Sequence, residues 1–178
     1  MPHIPNPSGL PGVAGLMAYR RTTGDALRAF TQALMRGDSS LTAAERELVA
    51  TYVSSRNGCR FCTRSHAAVA RRLGSAIVDD VIANRLEGAP PKTKALLAVA
   101  EHVRTSVAPV PLGLVEEARR SGVDDVAIHD AVLVAAAFCM FNRYVEGLDA
   151  TTPEDGGAYE TMADRLAGEG YARHPVSG

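Results

Sequence analysis

The most constraining stretch of this 178-residue chain is an eleven-residue apolar run, residues 131–141. The run lies inside a predicted helix that begins after an Asp124 cap and reaches about Gly147, and the middle of this helix is apolar on every side. Such a helix is stable in water only when other elements surround it. Eleven residues are also too few to span the ~30 Å hydrocarbon core of a bilayer. The segment therefore predicts a buried helix at the centre of a globular fold.

The remaining sequence also predicts helices. Thr42 and Glu45 form a capping box, in which the hydroxyl and the carboxylate satisfy free amides at a helix start. No stretch shows the alternation of apolar and polar residues that a half-buried strand requires. Helices are predicted over residues 23–36, 42–56, 59–73, 76–86, 92–106, 111–121 and 124–147. We therefore predict an all-α fold with a single domain.

Three segments divide the chain. Residues 1–12 are rich in Pro and Gly and are predicted to be irregular, whereas residues 13–150 carry the helical domain. Residues 151–178 form a polar tail with an apolar stripe at helical spacing, made of Tyr159, Met162 and Leu166. Because the main fold is complete before this stripe, we expect the tail to dock on a neighbouring subunit.

Charge and composition narrow the range of partners. Nineteen Lys and Arg residues against twenty Asp and Glu leave a net charge of −1, which gives no field to attract nucleic acid or an anionic membrane. The absence of Trp, with four Phe and five Tyr, leaves little surface for stacking bases. The N-terminus lacks the basic and apolar regions of a secretory signal. We therefore expect a cytoplasmic protein with no nucleic-acid or membrane partner.

Three cysteines point to thiol chemistry rather than to a disulfide framework. Cys59 and Cys62 form a CxxC pair at a predicted helix start, whereas Cys139 lies in the apolar run and is expected to be a core thiol. The CxxC spacing puts the two sulfurs about one turn apart, and the positive end of the helix dipole favours a thiolate there. His66 lies four residues after Cys62, on the same helix face. An imidazole beside a thiol can take up its proton and later protonate a leaving group.

Glu47 is the fourth candidate site residue. It lies on a helix face of small residues, which lets another helix approach closely and enclose the carboxylate. Since Glu45 serves the capping box, Glu47 is free to orient an imidazole. Two alternatives remain beside this interpretation: a structural pair of thiols, and a zinc site. A closed zinc site needs a second pair of ligands, which the spacing around Cys59, Cys62 and His66 does not supply.

Taken together, these residues resemble a known signature. Glu47, eleven further residues and then Cys59-x-x-Cys62-x-x-x-His66 are similar to the signature of the alkylhydroperoxidase D and carboxymuconolactone decarboxylase superfamily. The segments that begin at Asp130 and Phe141 resemble its peroxidase-related branch, and the likeness covers about residues 10–152. The resemblance implies an all-α, alkylhydroperoxidase D-like fold, peroxidase chemistry at thiols without metal or haem, and dimers, trimers or hexamers. Because the decarboxylase branch generally lacks the cysteine pair, its presence favours peroxide reduction over decarboxylation.

One position departs from the family pattern. The best-known alkylhydroperoxidase D enzymes have a His just before the second cysteine, where this chain has Phe61. Phe61 is expected to make the mouth of the pocket more apolar and offers no proton relay. The resemblance therefore supports peroxide reduction by this chain more directly than it supports electron delivery from a lipoyl group.

The predicted function is a thiol peroxidase for hydrogen peroxide or small organic hydroperoxides. Glu47 orients His66, His66 helps to deprotonate Cys62, and Cys62 becomes a sulfenic acid that Cys59 resolves to a disulfide. The two cysteines exchange roles if the helix dipole at Cys59 dominates. The reductant is an external dithiol of the dihydrolipoamide, thioredoxin or low-molecular-weight type, with no bound cofactor or metal. The alternatives are a general thiol–disulfide oxidoreductase and a non-catalytic redox-sensing or assembly module.

We predict that the protein is a homo-oligomer, at least a dimer, whose interface lies next to the active site. The long apolar helix, the small-residue face around Glu47 and the apolar stripe of the tail all need partners. Size-exclusion chromatography with light scattering measures the outcome directly. A stable monomer of 18.8 kDa with full activity at micromolar concentration would contradict the prediction.

Overall fold

The computed structural model describes residues 1–172, and within them the chain forms helices and connecting turns with no β-strand. The all-α prediction is therefore confirmed. In chain order the helices are α1 (Gly12–Tyr19), α2 (Arg21–Arg36), α3 (Ala43–Arg56), α4 (Arg60–Arg72), α5 (Val78–Ala83), α6 (Pro91–Thr105), α7 (Leu112–Arg120), α8 (Asp125–Gly147) and α9 (Gly156–Glu169).

The local signals at the helix ends are borne out. Thr42 accepts a hydrogen bond from the Glu45 amide while the Glu45 carboxylate accepts one from the Thr42 amide, so the capping box before α3 is complete. Asp124 caps α8 by accepting from the Ala127 amide at 2.8 Å. The sequence did not predict α1, which begins at Gly12 with a positive φ of 52°. Residues before α1 are irregular, as expected.

The core is built by packing α3 against α4 and α8, with α6 closing the other side of α3 and α8. Val49 and Val53 of α3, Leu97 of α6 and Phe138 of α8 are each at most 2% exposed and belong to one apolar cluster. Because α3 and α4 are neighbours in both sequence and space, residues on their facing sides meet in the interior. This places Glu47 and the CxxC helix in the same buried layer.

The long helix α8 is partly exposed in the single chain. Val134 and Phe138 are buried, but Met140 is 44% and Val126 is 52% exposed. The sequence predicted a helix enclosed on every side, and within the single chain that prediction is wrong. The helix is long and apolar enough to cross a membrane, yet half of its most apolar 18-residue stretch is buried inside the fold. Core helices of globular proteins can have the same length and hydropathy, so this one helix is weak evidence for a membrane span. The helices of one chain cover only part of the α8 circumference, and an oligomer stays a prediction.

The tail docks on its own chain. Helix α9 packs along α4, and Tyr159 and Leu166 are 3% and 6% exposed in a second apolar cluster with the CxxC residues. The apolar stripe of the tail is therefore buried without a second subunit. Contact of the tail with a neighbouring subunit stays a prediction, and residues 173–178 of the predicted tail lie outside the described residues.

Candidate active site

The CxxC pair lies at the start of α4, as predicted. Cys59 is the N-cap residue and Cys62 belongs to the first turn, and the two are 0% and 2% exposed. Both are free thiols, and their sulfurs lie close enough to hydrogen-bond. The Cys62 sulfur, burial and the nearby Glu146 carboxylate raise the pKa of the Cys59 thiol. Cys59 therefore keeps its proton at neutral pH.

Glu47 and His66 meet across the α3–α4 contact. The His66 Nδ1 atom lies 2.6 Å from Glu47 Oε2, which confirms the contact that the sequence predicted. The small residues around Glu47 predicted that a neighbouring helix encloses its carboxylate, and Glu47 is fully buried. With Nδ1 bound to a carboxylate, the imidazole carries a proton on Nδ1 and its Nε2 is free to act as a base.

Two further residues bind the same carboxylate. Arg36, in the last turn of α2, places its guanidinium 2.7 Å from Glu47 Oε1. Tyr171, just after α9, donates its hydroxyl hydrogen to Glu47 Oε1 at 2.7 Å. Glu47 thus has hydrogen-bond contacts with α4 and the tail and forms an ion pair with α2. A buried carboxylate is stable only when paired and hydrogen-bonded in this way.

The contacts around Glu47 determine its protonation. Burial alone would raise the pKa of the carboxyl, but the charge and hydrogen bond of His66, the charge of Arg36 and the Tyr171 hydroxyl hold the pKa below its usual value. Burial and the Glu47 charge raise the pKa of Tyr171 well above its usual value. At neutral pH Glu47 is therefore ionised and Tyr171 is a hydrogen-bond donor.

A cavity of about 280 Å³ lies against this group. Cys62, Ser65 and His66 line it from α4, and α1, α2, α8 and the tail form its other walls. The wall is mainly apolar, with Met17, Phe61, Phe138, Phe141, Met162 and Leu166 among its residues. His66 packs edge-on against Phe138, with ring centroids 4.5 Å apart. The cavity size and lining suit a small organic ligand with a polar end near Cys62.

Ser65 contributes a buried hydroxyl next to this cavity. The residue lines the cavity and is 3% exposed, and its Oγ is enclosed by the protein and forms no hydrogen bond with any described residue. Buried hydroxyls are ordinarily hydrogen-bonded, and one that is not costs about 1–3 kcal/mol.

Phe61 forms part of the inner wall rather than an exposed mouth. It is 3% exposed, and its ring packs against Tyr159 of α9 at a centroid distance of 6.2 Å. Gly12 approaches the other face so closely that a Cβ there would lie 2.2 Å from the ring. Phe61 therefore makes the inner wall of the cavity apolar, whereas the sequence predicted this effect at its mouth.

The basic residues of α4 lie away from the thiols. Arg60 pairs with Glu154 at 3.0 Å, and Arg71 contacts Asp79 at 2.5 Å, both on the surface. Their charges are therefore offset by acidic neighbours. Among residues 1–172, no group of three or more His, Cys, Asp or Glu side chains is arranged to hold a metal ion.

The sequence predicted four residues of this site and missed others. Glu47 and His66 are in contact, Cys59 and Cys62 are adjacent, and His66 and Cys62 line the same cavity. Arg36 and Tyr171 were missed because they reach Glu47 only through the tertiary fold, and Tyr171 is 124 residues away in sequence. A cationic partner could have been expected from the sequence, because a buried carboxylate needs one, but the sequence does not say which cation it is.

The chain is similar to proteins with the same helical architecture. The sequence model of the carboxymuconolactone decarboxylase family matches residues 22–83, which include α3, the CxxC pair and His66. A peroxidase-related protein from Ralstonia eutropha with an alkylhydroperoxidase AhpD core is 27% identical, with a TM-score of 0.77 over 88% of this chain and 83% of that one.

Two further structures share the fold. A peroxidase-related protein from Silicibacter sp. is 25% identical, with a TM-score of 0.77 over 88% of this chain and 82% of that one. A protein of unknown function from Agrobacterium tumefaciens is 19% identical, with a TM-score of 0.70 over 79% of this chain and 97% of that one, and it shows likeness of fold alone. No protein of curated function matches the chain.

The helices of the described residues and their order have the architecture of the alkylhydroperoxidase AhpD core. The family match over residues 22–83 and the structural neighbours at 27% and 25% identity support an assignment of the chain to the superfamily of alkylhydroperoxidase D and carboxymuconolactone decarboxylase.

The contacts of Glu47 predict how its loss affects stability. Glu47→Gln leaves the Arg36 charge without its buried partner, and we expect the free energy of unfolding at pH 7 to fall by about 3 kcal/mol. Because folding lowers the pKa of Glu47, its ionised form stabilises the native state above about pH 4.5, and this contribution is lost as pH falls further. Urea unfolding from pH 7 to pH 3.5 should show the difference between the two proteins shrinking.

Glu154→Gln is the matched control. Glu154 forms an ion pair with Arg60 on the surface, where such pairs contribute little, so its loss should leave the unfolding curve unchanged. A Glu47→Gln protein as stable as the wild type at pH 7 would contradict the buried network.

Proposed function

We propose that the protein is a thiol peroxidase that reduces small hydroperoxides at Cys62. The observation that carries the proposal is the placement of Cys62 and His66 side by side in one apolar cavity, with His66 held through Nδ1 by the buried Glu47. Nucleophilic sulfur chemistry needs a thiolate, a base that accepts its proton and a third group that orients the base. Peroxidase-related relatives with the same fold agree with this class of activity.

The first step is oxidation of Cys62. His66 accepts the Cys62 proton, and the thiolate attacks the outer oxygen of the hydroperoxide. An S–O bond forms, the O–O bond breaks, and His66 returns the proton to the leaving alkoxide or hydroxide. Sulfur is oxidised to a sulfenic acid while the peroxide is reduced to an alcohol or to water.

The second step closes a disulfide. Cys59 attacks the sulfenic sulfur of Cys62, an S–S bond forms, and the hydroxyl leaves as water with the Cys59 proton. The raised pKa of Cys59 supports the assignment of the first attack to Cys62, because the thiolate is the form that attacks peroxide and Cys59 holds its proton more strongly than an ordinary thiol. An external dithiol then reduces the disulfide and is itself oxidised. We place this reaction in the cytoplasm, where such reductants are abundant.

The assignment of the two cysteines predicts opposite outcomes for two variants. Cys62→Ser should abolish sulfenic acid formation, because His66 shares the cavity with Cys62. Cys59→Ser should instead leave a sulfenic acid trapped on Cys62 after one equivalent of peroxide. Labelling with a dimedone-type reagent followed by peptide mass spectrometry measures both, with Cys139→Ser as a control that should behave as the wild type. Labelling of Cys59 in the Cys62→Ser variant would show that the roles are reversed.

Steady-state turnover tests the function itself. We expect the protein to consume an organic hydroperoxide such as cumene hydroperoxide when supplied with dihydrolipoamide, thioredoxin or a low-molecular-weight thiol, and Cys62→Ser to lose at least 100-fold of this rate. Reduction of insulin disulfides without peroxide consumption would favour a general thiol–disulfide oxidoreductase instead. Formation of the disulfide without turnover by any of the reductants would favour a redox sensor.

A further inference from the structure

We propose that Tyr171 is a positioning residue for the Glu47–His66 pair, and that its hydroxyl sets how strongly His66 holds the proton taken from Cys62. The inference rests on the proposed function for its catalytic meaning. It concerns a residue of the tail that lies outside the Cys59–His66 motif and outside residues 22–83, where the family model matches.

One hydroxyl group reaches both members of the pair. The Tyr171 hydroxyl donates to Glu47 Oε1 at 2.7 Å, and the same oxygen lies 3.3 Å from His66 Nδ1. The two rings are nearly parallel, with centroids 6.1 Å apart. Glu47 therefore contacts His66 through Oε2, while its Oε1 accepts the Tyr171 hydrogen bond and forms the ion pair with Arg36.

The backbone holds Tyr171 in this position. The side-chain oxygen of Gln32 accepts hydrogen bonds from the amides of Tyr171 at 2.6 Å and Ala172 at 3.1 Å. The Arg36 guanidinium lies over the Tyr171 ring, 5.0 Å from its centroid. Gly170 has a φ of +75°, and a Cβ there would lie 2.5 Å from the Gln32 side-chain oxygen, so this turn requires glycine. Side chains of α2 thus fix both the backbone and the ring.

The electrostatic surroundings of His66 make this contact important. Phe138 covers one edge of the imidazole and carries no charge, and Cys62 lies on the same helix face. Ionisable groups reach the pair or its cavity from three other segments: Arg28 and Arg36 of α2, Glu47 of α3, and Arg165, Glu169 and Tyr171 of the tail. Among these, Glu47 and Tyr171 are the groups within hydrogen-bond distance of the imidazole.

The direction of the effect follows from charge sharing. The Tyr171 hydroxyl draws part of the Glu47 charge toward Oε1 and away from the imidazole. Without it, Glu47 stabilises a protonated His66 more strongly, and the Cys62 thiolate paired with that imidazolium forms at lower pH. A base that holds its proton too strongly releases it slowly to the leaving oxygen. Tyr171 therefore balances proton uptake against proton release.

The test uses the pH dependence of Cys62 alkylation in the full chain. In a Cys59→Ser background, the rate of iodoacetamide modification at Cys62 is followed by peptide mass spectrometry from pH 4 to pH 10. Tyr171→Phe should lower the midpoint of this profile by about half a pH unit. Tyr159→Phe is the matched control, because this buried tyrosine of the same tail donates to the Pro153 carbonyl and should leave the midpoint unchanged.

A second variant guards against misfolding. Gln32→Leu removes the acceptor that holds the Tyr171 backbone and keeps the tyrosine itself, so the midpoint should move in the same direction by a smaller amount. Circular dichroism establishes that each variant is folded. If Tyr171→Phe folds, a midpoint that stays at the wild-type value or rises overturns the proposal. If Tyr171→Phe does not fold, an unchanged midpoint in Gln32→Leu overturns it. Alkylation needs no peroxide, so a protein without peroxidase turnover would refute the proposed function and still test this inference.

Discussion

The buried carboxylate of Glu47 is the interaction on which the rest of the site depends. It is fully buried, has hydrogen-bond contacts with His66 and Tyr171 and forms an ion pair with Arg36, and these three residues belong to different segments of the chain. A charge enclosed in this way requires all its partners together, since removal of one leaves an unpaired group in a low-dielectric interior. The α3–α4 contact, the end of α2 and the tail are therefore coupled through a single side chain.

The same contact between α3 and α4 places the two thiols beside His66 at the start of α4. The α4 N-terminus brings Cys59 and Cys62 together, and the facing surface of α3 fixes the imidazole that follows one turn later. The raised pKa of Cys59 and the shared cavity of Cys62 and His66 give the two sulfurs different environments. A CxxC pair in which both thiols had the same surroundings would have no preferred direction of attack.

The sequence was informative where the interactions are local and uninformative where they are not. The Thr42–Glu45 capping box and the spacing of Cys62 and His66 each span one helical turn, so a pattern of a few residues predicts them. Tyr171 contacts Glu47 across 124 positions, and no local pattern encodes such a contact. Helix α1 was missed because it begins at Gly12, in a segment whose Pro and Gly content is typical of irregular chain. Its formation depends on packing against α2 and α8.

The enclosure of both sulfurs makes molecular size a criterion for electron delivery. Cys59 and Cys62 are at most 2% exposed, and α9 and the segment after it cover the side of α4 that faces the cavity. In the proposed chemistry, a small dithiol diffuses in by the same opening as the hydroperoxide, whereas a folded protein donor is too broad to pass. For such a donor to reach either sulfur, α9 would have to separate from α4, against which it packs. The width of the donor would then decide whether that separation enters the turnover time.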